Sequence, residues 1–151
     1  MFTHYLHTEI EIDAPADRVW AVLSDLPSYP QWNPFVRSAV GTLRQGERLQ
    51  IVVQPDGGKA MRFSPVVLTV HPMREIRWLG RFLFPGLFDG EHCFVIESLG
   101  DNKVRFIQNE RFDGVLVGMM RRNLDRDTKN GFDAMNRALK ARAESGLESI
   151  G

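Results

Sequence analysis

The stretch Ile12-Asp13-Ala14-Pro15-Ala16-Asp17-Arg18-Val19-Trp20, followed by Tyr29-Pro30-Gln31-Trp32-Asn33-Pro34-Phe35, decides how this chain is read. Upstream of it, residues 3–12 alternate, with Leu6, Ile10 and Ile12 on one parity and His7, Glu9 and Glu11 on the other. A period of two marks a half-buried strand. Pro15 then suits the first turn of a helix, where its missing N–H has no partner to lose, and Asp17 lies near the positive helix start. Val19, Trp20, Val22 and Leu23 give that short helix its apolar face. Pro27, Pro30 and Pro34 break the next segment into turns.

Strand signals follow at 35–40, 47–54, 60–70, 75–82, 91–98 and 103–112. In the second, Leu49, Ile51 and Val53 oppose Arg48, Gln50 and Gln54; in the fourth, Ile76, Trp78 and Phe82 oppose Glu75, Arg77 and Arg81. Pro55-Asp56-Gly57-Gly58 and Gly100-Asp101-Asn102 read as hairpin turns. Pro65 disturbs the third run and predicts a bulge or an edge position. The period then changes. Val117, Met120, Leu124, Gly131, Met135 and Leu139 predict one long amphipathic helix over 115–143, with no proline inside it. Gly131 costs about 1 kcal/mol against Ala in a helix, so close packing against the sheet is its expected reason. Short connections imply antiparallel pairing, and the long helix is the one element able to cover the apolar face of such a sheet. The reading is an α+β fold in a single domain over 1–146, with the end of the chain fraying from 144 and a tail at 147–151.

Composition narrows the function. A chain of 151 residues with 43% apolar content is one ordinary globular domain. Lys plus Arg and Asp plus Glu number 19 each, so no general electrostatic pull on nucleic acid or anionic lipid is expected. No apolar run approaches the length of a membrane span, and the first residues lack the regions of a signal peptide. The single cysteine, Cys93, fits a reducing compartment and excludes a Cys-rich zinc site. A cytoplasmic monomer or homodimer, without metal or cofactor, is expected.

The chain resembles the START-like, or SRPBCC, superfamily, in particular its small polyketide cyclase/dehydrase and lipid-transport proteins. The resemblance rests on Ala14 to Trp20, on Tyr29 to Phe35, on Ile76-Arg77-Trp78, and on Gly131 to Lys140 in the final helix. It implies a helix-grip fold, in which a curved antiparallel sheet grips the C-terminal helix around an apolar cavity. The family spans carriers, cyclases, hydrolases and other functions, so the fold does not choose among them.

The inward parities are aromatic. Trp78 and Phe82 share one strand's face, His92 and Phe94 another's, and Phe106, Gln108 and Glu110 the last strand's. Trp32 and Phe35 are placed to close one end, Phe63 and Phe88 to add to the wall, and Met119, Met120, Asn123 and Leu124 to face in from the helix. Apolar walls with a few polar groups are the usual makeup of a small-molecule site; the same residues also serve as plain core. Glu110 is the sharpest anomaly. A buried carboxylate without a partner is costly, so the inner space is wet, or Glu110 pairs with His92 or an arginine, or it reaches water near the strand's end. His92 is a candidate proton carrier. Cys93 falls on the outward parity, away from an activating base. Residues 82–88 form an apolar loop suited to a gate over the cavity or to an oligomer contact. Arg121, Arg122 and Arg126, interleaved with Asp125 and Asp127, read as a solvated helix face.

Three functions fit. The first is binding, and with it transport, of a hydrophobic or aromatic molecule such as a lipid, isoprenoid or polyketide-like compound. The second is a cyclase or dehydratase using Glu110 or His92 as acid or base. The third is a partner-binding module.

Overall fold

The computed structural model describes residues 2–55 and 57–148. The chain runs β1 (Phe2–Ile12), α1 (Ala16–Ser24), a 3-10 turn (Leu26–Ser28), α2 (Tyr29–Trp32), β2 (Val36–Val40), β3 (Gln50–Val53), β4 (Met61–Phe63), β5 (Val66–His71), β6 (Glu75–Arg81), β7 (Asp89–Gly100) and β8 (Lys103–Gly114). It ends in a continuous helical segment made of α3 (Val117–Asn123), a π turn (Leu124–Thr128) and α4 (Lys129–Glu148). A five-stranded antiparallel sheet has the order β1-β8-β7-β6-β5, and a three-stranded sheet the order β2-β3-β4. The two are stitched by an Arg48–Val66 bridge and by backbone bonds such as Leu49 N–H to Pro65 carbonyl at 2.9 Å. This is the helix-grip architecture that the family resemblance implies, with the strands and the terminal helix where the alternation and the change of period put them.

Two details depart from the sequence reading. The run 60–70 is two strands, because Ser64 and Pro65 lie between β4 and β5; proline has no N–H to continue a ladder. Met61–Phe63 pairs with β3, and Val66–His71 leaves to pair with β6. The terminal helix also continues past 143 to Glu148, held at its end by neighbours. Lys140 Nζ donates to Glu144 at 2.5 Å, Glu144 accepts the Asp13 N–H at 2.9 Å, and the Arg18 guanidinium reaches the Ala143 carbonyl at 3.4 Å. Of the tail expected at 147–151, residues 149–151 lie outside the described residues.

Register places side chains in rows across the concave face. One row reads Leu6, Glu110, His92, Trp78, Val67; the row nearer α3 reads His4, Phe112, Gly90, Gly80; the row on the other side includes Thr8, Gln108, Phe94 and Ile76. Phe132, Met135, Leu139 and Ala143 of α4 are fully buried over the far rows. Gly131 explains how the helix comes so close. A Cβ there would overlap the Phe35 ring, which packs edge-on against Phe132 with centroids 5.2 Å apart. Its partner is thus an aromatic of the segment entering β2, not the sheet itself. Tyr29 anchors the Tyr-Pro-Gln-Trp turn by donating its hydroxyl to the Leu23 carbonyl at 2.5 Å.

Candidate functional site

α4 fills only the half of the sheet nearer the C-terminus of the chain. Over the other half, between the concave rows, the small sheet and α3 with its π turn, lies a cavity of about 360 Å³. That is within the range of small-molecule sites. Its wall includes Phe35, Ile51, Val53, Phe63, Trp78, Phe82, Phe88, Phe112, Met120 and Leu124, with His92 and Glu110 in the floor and Lys59, Asn123, Asp127 and Thr128 elsewhere. The π turn puts Leu124, Asp127 and Thr128 on the cavity side. An extra residue per turn widens a helix locally, and such turns gather at functional sites.

The polar floor is built by a chain of hydrogen bonds running from the core to the cavity. The Asn136 side-chain amide donates to Thr8 Oγ1 at 3.0 Å. The Gln108 amide donates to Asn136 Oδ1 at 2.8 Å and to the Phe132 carbonyl at 3.1 Å. His92 Nε2 meets Gln108 Oε1 at 2.9 Å, and His92 Nδ1 meets Glu110 Oε1 at 2.8 Å. Polarity follows from the one member that cannot turn round. A backbone carbonyl only accepts, so Gln108 presents its NH₂ to Phe132 and its oxygen to His92. Nε2 of His92 therefore carries a proton. A second proton lies in the bond between Nδ1 and Glu110, so the pair as a whole is neutral. The ring itself is boxed by aromatics, stacked on Phe94 at 4.2 Å and flanked by Phe132 at 4.8 Å and Trp78 at 6.0 Å. Glu110 has found His92, and the arginine partner does not arise.

Of the residues expected at the site, Phe35, Phe63, Trp78, Phe82, Phe88, His92, Glu110, Met120, Asn123 and Leu124 line the cavity. Five do not. Met119 is 84% exposed, because α3 begins only at Val117 and turns that position to solvent. Phe94 and Phe106 are buried under α4 as core, and Gln108 sits behind His92 as its support. Trp32 packs edge-on against Tyr29 at 5.2 Å, outside the wall. Sequence reasoning missed Thr8 and Asn136, although each is a polar residue on an apolar face. It also missed the contributions of Val36, Ile51, Val53 and Gly90 to the wall. Gly90 carries a signal of its own, since a Cβ there would strike Glu110 Oε2.

The loop 82–88 is fixed to the start of α3: Val115 N–H donates to the Gly86 carbonyl and Leu116 N–H to the Leu87 carbonyl, both at 3.1 Å. Leu83 holds a left-handed φ of 64° and is exposed together with Phe84. Cys93 lies beneath Arg77 on the other face, and burial pushes its thiol up to about 11, which leaves it a poor nucleophile. Among the described residues no three His, Cys, Asp or Glu side chains converge as a metal site, and no helix is long and apolar enough to cross a membrane.

Comparison with known proteins agrees with this architecture. The Zhui aromatase/cyclase from Streptomyces sp. R1128 superposes with a TM-score of 0.81 at 18% identity, covering 99% of each chain. A START superfamily protein from Mycobacterium smegmatis gives 0.74 at 21% identity, over 94% of this chain and 98% of that one. A point mutant of norcoclaurine synthase from Thalictrum flavum, in complex with a transition-state analogue, gives 0.74 at 16% identity, over 99% and 98%. At such identities these likenesses speak for the fold alone. No curated protein matches the chain in sequence. The sequence profile of one family does, over residues 3–144. Fold, gripped helix and profile together place the chain in the polyketide cyclase / dehydrase and lipid transport family.

Proposed function

We propose that the protein binds a hydrophobic small molecule in the cavity between its concave sheet and α3. One observation carries this reading: about 360 Å³ of aromatic-walled space is left beside a core that is otherwise packed. Burial of apolar surface supplies affinity at about 25 cal/mol per Å², and Glu110 and Asn123 orient a polar end. The test is uptake of an uncharged fluorescent probe, N-phenyl-1-naphthylamine, followed by its displacement with lipid and isoprenoid extracts. Emission that stays at the aqueous value with folded protein sinks the reading.

A second reading is supported by the His92–Glu110 pair. A hydrogen-bonded imidazole and carboxylate beside an apolar pocket can move a proton next to a carbonyl, which is the chemistry of a cyclase or dehydratase. Its test is the rate of α-deuterium exchange of 2-tetralone in D₂O. Catalysis predicts acceleration by the protein that Glu110→Gln and His92→Ala abolish while probe uptake survives; unaccelerated exchange leaves the binding reading alone.

A further inference from the structure

The concave face is lined with large side chains except at one place. Gly80 and Gly90 are directly opposite each other on β6 and β7, both on the inward parity and both in the cavity wall. Their neighbours along the strands are Trp78, Phe82, Phe88 and His92. Two adjacent strands, about 4.8 Å apart, thus carry no side chain of their own at the centre of an aromatic enclosure. Gly90 is accounted for by Glu110, whose Oε2 occupies the space of a Cβ. Gly80 is not required by the fold. Its φ is not in the left-handed region, and a Cβ there would come no nearer than 3.9 Å to the Pro65 side chain, an ordinary contact. Glycine inside a strand weakens it, so this position gives up stability for open space.

Glu110 Oε2 lies over the Gly90 half of that floor and leaves the Gly80 half open. Oε1 is taken by His92, and among the described residues Oε2 has no hydrogen-bond partner. The proton of the pair is in the Nδ1–Oε1 bond, so Oε2 is an acceptor open to a donor from the cavity. A carboxylate ligand would set acceptor against acceptor there and leave its charge uncompensated at the floor, since Lys59 of the wall is itself solvent-exposed. A cationic ligand would meet the same neutral pair, and Asp127 of the wall is already paired with Arg126, so its charge too would be uncompensated and expensive. We infer that the Gly80–Gly90 floor seats a flat, uncharged ring compound whose hydroxyl donates to Glu110 Oε2, which makes Gly80 a specificity-determining residue and excludes fatty-acid anions as the occupant. This rests on the binding reading above and names the class of ligand for it.

The experiment is calorimetric titration at neutral pH with 2-naphthol, 2-naphthoate, 2-naphthylmethylammonium and 1-decanol. The wild type should bind 2-naphthol at least about tenfold more tightly, or about 1.4 kcal/mol, than any of the other three. Gly80→Leu should lose 2-naphthol by at least as much while melting no lower than wild type; Gly80→Ala, a smaller intrusion, should weaken it less. Glu110→Gln should narrow the preference of alcohol over acid. Equal or tighter binding of the naphthoate or the ammonium overturns the assignment of charge, and tighter binding of decanol overturns the flat seat. Full 2-naphthol affinity in a folded Gly80→Leu overturns the role of Gly80. The binding reading has its own arm: a wild type that takes up N-phenyl-1-naphthylamine yet fails these discriminations keeps its cavity function and loses this inference, whereas no uptake at all removes both.

Discussion

Gln108 shows how one side chain can hold a site it does not touch. Its amide bridges Phe132 and Asn136 on the helix to His92 on the sheet, and it is fully buried. Gln108→Leu keeps the volume but orphans the His92 Nε2–H and Asn136 Oδ1. Each orphaned buried group costs about 1–3 kcal/mol, so urea denaturation should show a loss of at least about 2 kcal/mol. Met119→Ser, by contrast, should stay within about 0.5 kcal/mol, as exposed substitutions do; equal effects at the two positions would refute the assignment of Gln108 as buried support. Cys93 gives a second residue-scale prediction. Its thiol is buried and raised to about 11, so labelling by an aromatic disulfide at neutral pH should proceed only as fast as the protein opens. Parity alone made His92, Gln108 and Glu110 visible as inward polar residues. It offered His92 as one partner for Glu110, but it did not reveal that Gln108 continues the chain, nor that Thr8 and Asn136 complete it. Those bonds span 16 to 128 positions along the sequence, and periodicity carries no information at that range.

At the scale of elements, the terminal helix is where local rules and tertiary packing disagree. In isolation, Gly131→Ala would stabilise a helix by about 1 kcal/mol. Here the added methyl meets the Phe35 ring, which is wedged against Phe132 and lines the cavity. The sign should therefore reverse, and a lowered melting temperature checks it; a raised one would mean Phe35 yields freely. The end of the same helix depends on Glu144. Partial burial works against its ionisation, but the bonds from Lys140 and from the Asp13 N–H outweigh it and hold its carboxyl below the ordinary glutamate value. A group lowered in the folded state stabilises above its unfolded value and loses that contribution as pH falls through the folded one. Glu144→Gln should then be less stable than wild type near neutrality, with the gap closing as pH falls below the ordinary glutamate range and through the lowered folded value. A gap independent of pH would assign the role to packing rather than charge. The strand 75–82 and the helix 115–143 were legible as elements because each keeps its period over many residues. The break at Pro65 and the π turn at 124–128 were legible only as a disturbance and not at all, respectively. A π turn changes the face presented without leaving a mark in composition, and the terminal fray expected from 144 ignored the caps that Arg18 and Asp13 bring from the far end of the chain.

The whole molecule divides unequally around its hollow. One side is the long β7–β8 hairpin, twelve residues in each strand, paired on both flanks and covered by α4. The other is the three-stranded sheet, whose β4 is an edge strand of three residues joined to the larger sheet through the 46–49 segment and β5. Local opening follows the density of buried contacts and paired backbone. Amides of β4 should therefore exchange with solvent through small openings, and those of β7 and β8 only near the free energy of global unfolding. Because Ile51, Val53 and Phe63 of the small sheet form one wall of the cavity, an occupant must bridge the stable side to the labile one. A ligand that binds the folded state stabilises it by RT ln(1 + [L]/Kd), about 2.7 kcal/mol at a hundredfold excess over Kd. If that ligand sits in this hollow, the protection it confers should appear first and most strongly at residues 61–63 and 50–53, since their openings break the site without unfolding the rest. Hydrogen exchange read by mass spectrometry, with and without saturating 2-naphthol, makes the comparison. Slower exchange confined to β7 and β8 would mean that the occupant does not bridge to the small sheet, and β4 amides as protected as the central hairpin in the free protein would show the small sheet to be no movable wall at all.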